Sequence, residues 1–333
     1  MYEVIMNLLG IDVSKNKLDS ALILVNKPTK FLDKKTPNHA KGFDTLLQWC
    51  CKKASCSPQE LHIILEATGP YHEKVALWMY KAGCKVSVLN PARIKNFAQS
   101  QGFRSKNDQL DAKIIARFGQ KMEPKLWEPT VEKYQELHNI LNRIQTVSKE
   151  IQSEKNRLEK QVATASPSKS VIQSISRTIV FLEEEKKQLK CLVKEHIDQD
   201  PELKMDQTFL ESIPGVGPEL GQWMNNLLKH GTSFQNAKQV VAYPGLNPTE
   251  HTSGISVSKR PRISKAGPAV YRAKLFMPAI VAFRYNPDVK ALYERLLAKG
   301  KSKMAAVVAA MRKLVHICFG VIKHQTKYQS QIT

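Results

Sequence analysis

The chain has 333 residues, 42% of them hydrophobic, and carries 51 Lys and Arg against 30 Asp and Glu, a net charge of +21. Such a length supports two or three domains with sizeable cores. No run of 18 apolar residues and no signal-like leader stand in it, and six cysteines (50, 51, 56, 84, 191 and 318) show no CxxC pair or metal-ligand spacing, so the expectation is a cytoplasmic protein with free thiols and no membrane partner.

Charge is unevenly spread. From His251 onward there are 16 Lys and Arg against two acids, Asp288 and Glu294, so +14 resides in the last quarter. A stretch that one-sided repels itself until a polyanion neutralises it, which points to nucleic acid.

Along the chain, residues 5–13, 19–25 and 29–36 read as three strands joined by tight turns, followed by a helix from about Ala40 to Lys53. LHIILEAT (61–68) and KVSVLN (85–90) read as further strands around a helix at 71–83, and two more helices start at Pro91 and Asp108. Three strands followed by alternating helix and strand predict an α/β domain with a mixed sheet over residues 1–125. In the segment 126–203, Leu137, Ile140, Leu141, Ile144, Val147 and Ile151 recur at helical spacing. After ATASPSKS (163–170) the pattern resumes at Val171, Ile175, Ile179, Leu182 and Leu189, which predicts a helical hairpin or coiled coil. Narrow apolar stripes need partners, so this segment is the candidate for homo-oligomer assembly. Residues 204–333 read as a mainly α domain, in which FLESIPGVGPELGQWMNNLL (209–228) resembles a helix-hairpin-helix whose glycines would let backbone amides approach phosphate.

Asp12 ends the first apolar strand and Glu66 ends the strand Leu61–Leu65. Alone, Asp12 is better explained by a turn with Ser14 and Asn16. Asp108 and Asp111, three apart, share a helix face, though Asp-x-x-Asp at a helix start is also close to a capping box. Four carboxylates from three elements of a strongly basic protein suit a divalent-metal site better than four separate caps. Their hard oxygen ligands fit Mg²⁺ or Mn²⁺.

The order strand–Asp, strand–Glu, helix with Asp-x-x-Asp resembles the RuvC-like branch of the RNase H fold. GIDVSK (10–15), LEATGPYH (65–72), LNPARIKNFAQSQGFRSKNDQLDAKIIARF (89–118), SIPGVGP (212–218), YPGLNPTEHTSGIS (243–256) and RISKAGP (262–268) together resemble the DEDD transposases of the bacterial insertion-sequence one-ten family, recombinases guided by a bridge RNA. The resemblance implies an acidic metal-binding tetrad at Asp12, Glu66, Asp108 and Asp111. It also implies a nucleophilic serine at Ser253, which by itself reads as a loop serine. It further implies donor and target DNA, a guide RNA and a nucleoid location for the DNA-bound protein. Lys259, Arg260, Arg262 and Lys265 would neutralise phosphates near the cut. No Walker motif is present, because GVGPELG lacks the Lys-Ser/Thr pair. Two other readings stay open: a Holliday-junction-type nuclease using water, and a nucleic-acid-binding protein without catalysis.

Overall fold

Short apolar runs separated by turn residues in the first 37 residues produce three strands, β1 (Asn7–Val13), β2 (Lys17–Leu24) and β3 (Lys27–Pro37). This is a computed structural model, which describes residues 6–67, 69–102, 108–229, 234–253 and 257–331; at 108–109, 250–253 and 257–261 it describes the backbone alone. β2 starts two residues earlier than expected because a tight turn, with Ser14 N donating to Lys17 O at 3.0 Å, returns the chain at once. There follow α1 (Ala40–Ala54), β4 (Leu61–Glu66), α2 (Tyr71–Lys81), β5 (Lys85–Leu89), α3 (Pro91–Ser100) and α4 (Asp108–Met122). Pro91 stands first in α3 behind an Asn90 cap that accepts from Ala92 N, as a proline at a helix start should.

The sheet order is β3-β2-β1-β4-β5. β1, β2 and β3 pair antiparallel, and β4 and β5 lie parallel to β1. This is the expected mixed sheet of RNase H-like topology. Both faces are covered, which explains the near-continuous burial of β1 and β4. Leu9, Ile11, Ile63 and Leu65 pack with Phe43, Leu46, Val75 and Met79 of α1 and α2. Leu8, Ile23 and Ile64 pack on the other side with Ile94, Ile114, Ile115 and Phe118 of α3 and α4. These elements form one compact unit, Met1–Pro129; a second spans Thr130–Thr333.

The second unit begins with two 31-residue helices, α5 (Glu132–Val162) and α6 (Lys169–Gln199). They run antiparallel, tied at one end by His196 Nε2 to Lys133 O (2.7 Å) and farther along by Lys155–Glu183 (2.7 Å). Then come α7 (Pro201–Glu211), α8 (Pro218–Lys229), α9 (Ala237–Ala242), the hairpin β6 (Pro248–Ser253)–β7 (Val257–Ile263), α10 (Ala269–Tyr285), α11 (Pro287–Ala298) and α12 (Lys303–His324). The open end of the helical pair shares the core of this unit: Leu137, Leu141, Val193 and Ile197 pack with Trp223, Met224, Leu275 and Leu314. Buried Asn226 locks that junction, accepting from Tyr271 Oη (3.2 Å), lying 3.0 Å from His138 Nδ1 and donating to Tyr134 O (3.2 Å). α12 is long and apolar enough to cross a membrane, yet Ala310, Leu314, Val315 and Cys318 are buried in the same core.

The structure corrects one local expectation. The sequence around Ser253 reads as loop in a mainly α domain, whereas Pro248–Ser253 and Val257–Ile263 pair as antiparallel strands. The helix–Pro-Gly-Val-Gly–helix turn is present between α7 and α8, and Gly215 (φ 99°) also serves packing there. A Cβ on it would lie 2.7 Å from Ala282 Cβ of α10, while Gly217 alone faces open space.

Candidate active site

On β1, Leu8 and Gly10 face the α3–α4 layer. Side chains alternate along a strand, so Asp12 faces the same way. On β4, Ile64 abuts Gly119 of α4, so Glu66 shares that face. Parallel pairing of Ile11 with Leu65 then makes Asp12 and Glu66 level on neighbouring strands, which lie about 4.8 Å apart.

α4 runs against β1. Lys113 Nζ bonds Asp33 (2.8 Å), the β3 residue level with Ala21 and Gly10, and seven residues on Gln120 Nε2 donates to Pro28 O (3.3 Å) near the other end of β3. The start of α4, with Asp108 and Asp111, is therefore at the sheet edge that carries Asp12 and Glu66. Gly10 makes this close crossing possible, because a Cβ there would strike the Ala112 carbonyl and Ala116 backbone. The positive end of the α4 dipole also favours carboxylates at that edge. Asp12, Glu66 and Asp111 are each half-buried; the Asp108 side chain lies outside the described residues. Among the described residues no three His, Cys, Asp or Glu side chains stand close enough together to hold a metal. The all-carboxylate donor set on one edge nevertheless matches the chemistry of a hard cation.

A fifth acid, missed in the sequence, stands in the same row. Asp19 on β2 is directly opposite Asp12, and Lys35 on β3 is directly opposite Asp19. The Asp19 side chain is 3% exposed and holds two ammonium groups, Lys17 Nζ at 3.0 Å and Lys35 Nζ at 3.1 Å. The signal available in sequence was an acid between Leu18 and Ser20 in an otherwise buried strand, flanked by Lys two residues before.

In the second unit Ser253 is the last residue of β6, with Val257 opposite it. Its side chain and those of Lys259 and Arg260 lie outside the described residues, as do residues 254–256. Arg262 on β7 is exposed, and so is Lys265 beyond it. Their frame is tightly built. Gly245 (φ 69°) and Gly267 (φ 113°) let two loops touch backbone to backbone, since a Cβ on Gly245 would sit 2.5 Å from Ala266 and one on Gly267 would overlap Tyr243 O. Arg272 of α10 donates to Pro244 O (2.6 Å) and Gly267 O (3.2 Å). Ser264 Oγ donates to Asn247 Oδ1 (2.7 Å), closing the base of the β6–β7 hairpin. The YPGLNP and SKAGP stretches are thus the anchor of that hairpin, and Arg272 is a second residue missed in the sequence.

Acids at the ends of neighbouring strands of a mixed sheet, in one chain with a basic second unit, suit a protein that acts on nucleic acid. Residues 9–167 match the DEDD transposase model of the IS110 group, and residues 207–294 match that of the transposase IS116/IS110/IS902 family. The chain belongs to the IS110 family of transposases. It is 34% identical over 326 residues to the pilin gene-inverting proteins of Moraxella lacunata and Moraxella bovis, covering 97% of this chain and 98% of each relative. It is 24% identical over 162 residues, 49% of this chain and 39% of the relative, to an uncharacterized 43.6 kDa protein of the insertion element IS110 in Streptomyces coelicolor. Among solved structures, T. thermophilus RuvC in complex with Holliday junction substrate aligns with 36% of this chain and 99% of its own, at a TM-score of 0.27 and 12% identity.

Proposed function

We propose that this transposase breaks DNA by attack of the Ser253 hydroxyl, and that its acids Asp12, Glu66, Asp108 and Asp111 hold Mg²⁺ or Mn²⁺. The observation that carries the reading is the convergence of β1, β4 and the start of α4 at one sheet edge, each bringing an acid. A divalent cation there would stabilise the attacking and leaving oxygens of a phosphodiester displacement. The chain's own groups do the rest. Ser253 Oγ forms a bond to phosphorus as the bond to the leaving sugar oxygen breaks, and its proton passes to a base. The phosphoserine link conserves the energy of the phosphodiester, so strand exchange proceeds without a nucleoside triphosphate. A hairpin anchored at its base by Ser264–Asn247 and by Arg272 suits a nucleophile, because in-line attack tolerates little misplacement. Lys259, Arg260, Arg262 and Lys265 neutralise the DNA backbone around the cut.

Sequence recognition on this reading comes from a bridge RNA that pairs with donor and target DNA in the cytoplasm. The α5–α6 hairpin assembles protomers through apolar side chains left outside, notably Val180 and Phe181, 67% and 68% exposed. The test is a denaturing gel of labelled DNA incubated with protein, guide RNA and Mg²⁺, followed by peptide mapping of any adduct. Wild type should yield a covalent adduct at Ser253, and Ser253→Ala should bind DNA but form neither nicks nor adduct. Asp12→Asn and Asp111→Asn should lose both. Cleavage that persists in Ser253→Ala without any wild-type adduct would refute the serine and make water the nucleophile.

A further inference from the structure

α12 carries Arg312, Lys313, His316, Lys323 and His324 and, over its 22 residues, no acid. One side of it, with Ala310, Leu314, Val315 and Cys318, is buried in the core. Lys313, His316, Ile317 and His324, at helical spacing on another side, line a groove. The facing wall is the segment after α12. The chain reverses at Gln325 (φ 52°), and Tyr328 is then pinned. Its N donates to Ser212 Oγ (2.8 Å), and its Oη donates to Asp288 Oδ2 (2.6 Å) and lies 3.0 Å from Asn286 Oδ1. Lys327, Gln329 and Gln331 beside it complete a space of about 420 Å³. Among the described residues Asp288 is the one acid in the lining, and it already accepts from Tyr328 Oη and Gln331 N. Neither Lys313 nor Lys327 forms an ion pair among the described residues, and the buried Nε of Arg312 has no acceptor. Burial, with Arg312, Lys313 and Lys238 of α9, pushes the His316 pKa down. This face is short of anions, and a cluster so composed repels itself until an anion arrives.

We propose that this groove binds one nucleotide of an unpaired nucleic-acid strand, with Lys313 and Lys327 on the phosphates either side of it and Gln329 and Gln331 at its base. Size selects the occupant. Sites that enclose a small molecule run to about 300–1,000 Å³; an unpaired nucleotide is a ligand of that size, whereas a paired one is held in its stack. The chemistry agrees. Ammonium groups without a carboxylate partner take phosphate. Ile317 and Val321 of the lining offer an apolar floor to the face of a base, and side-chain amides present both donor and acceptor to its edge. A basic groove that also receives the bases is the usual design for single strands. The hydrogen bonds of Tyr328 hold the wall in place beforehand, which lowers the ordering cost of binding. The site rests on the reading that this chain binds nucleic acid, and on neither Ser253 nor the acids.

The experiment uses the full-length protein with fluorescein-labelled oligothymidine, oligouridine and a DNA duplex. First, lysines are acetylated with and without each probe and located by mass spectrometry. Unpaired strands should protect Lys313 and Lys327 several-fold, and the duplex should leave them reactive. Second, binding is measured across a range of NaCl. Lys313→Gln/Lys327→Gln should keep the wild-type urea midpoint, because neither side chain belongs to the core. Its slope of log K against log salt for an unpaired strand should shrink by about 1.4, at about 0.7 per phosphate. Lys41→Gln/Lys53→Gln on α1, with the same change of charge, should shrink it by less than half as much. Protection by only one of the two unpaired strands supports the site and names the sugar it reads. Duplex protection equal to that by unpaired strands overturns the proposal, as does an equal fall of slope in the two double variants. So does unchanged acetylation of Lys313 and Lys327 while other lysines of the second unit are protected. Cleavage that persists in Ser253→Ala would instead sink the serine reading and leave this footprint standing.

Discussion

Gly10→Ala tests the crossing of α4 over β1 on which the candidate site depends. The added Cβ would meet the carbonyl oxygen of Ala112, the amide nitrogen of Ala116 and, at 2.9 Å, Ala116 Cα. Carbon pairs settle at about 3.5–4.0 Å, and all three atoms belong to a helix backbone that cannot rotate away. Relief requires α4 to lift from β1 by roughly 1 Å. Overpacking of this kind costs about 1–3 kcal/mol, or a fall in Tm of about 2–4 °C for each kcal/mol in a protein of this size class. The functional effect should be larger than the loss of stability. Asp111 immediately precedes Ala112, so it moves with the contact, and a misplacement of about 1 Å can lower a rate about 100-fold. Urea denaturation and Mg²⁺-dependent strand cleavage, measured on the same preparation, read the two effects. Gly320→Ala serves as the control, since its Cβ would meet nothing within 4 Å and sits inside α12; it should be neutral or stabilising by up to about 1 kcal/mol. Gly10→Ala with wild-type stability and activity would refute the close crossing, and with it the convergence of the acids.

Gly119→Ala puts a Cβ onto the tip of the Ile64 side chain, so it should destabilise, and Ile64→Val in the same molecule should recover most of the loss, as denaturation midpoints will show. His62 is buried with Nε2 2.8 Å from Ser87 Oγ, and burial, aided by Lys85, pushes its pKa down to about 4. The unfolded chain binds the proton first, so the contribution is complete above about pH 6.5 and is lost as pH falls toward 4, by at most about 1.4 kcal/mol per pH unit; His62→Gln should flatten that part of the stability–pH curve. In the α5–α6 hairpin, Phe181→Ser with Val180→Ser should lower the oligomeric state in light scattering without loss of helicity, whereas Leu141→Asp should unfold the second unit because Leu141 is in its core. An unchanged oligomer in the double variant would remove the hairpin from assembly.

By itself the sequence determined most elements. Short apolar runs mark β1 and β2, helical spacing marks α5 and α6, and Asn90-Pro91 marks the start of α3, because each pattern is written within one segment. The acids at strand ends, the basic last quarter and the family motifs were also legible, since each is a matter of residue identity in chain order. Tertiary structure decided which element lies against which. Gly10 in GIDVSK reads as one more residue of the first strand and is also the floor for α4; Gly215 reads as a turn glycine and is also packed on Ala282 of α10. Asp19 looks like an ordinary strand acid until antiparallel pairing aligns it with Asp12 and Lys35. Ser253 reads as loop because the strand it pairs with, Val257–Ile263, is fixed by contacts of Gly245, Gly267 and Arg272 drawn from other segments. Local propensity tells which way a side chain faces, but the partner across the gap is set by long-range packing that no single segment encodes.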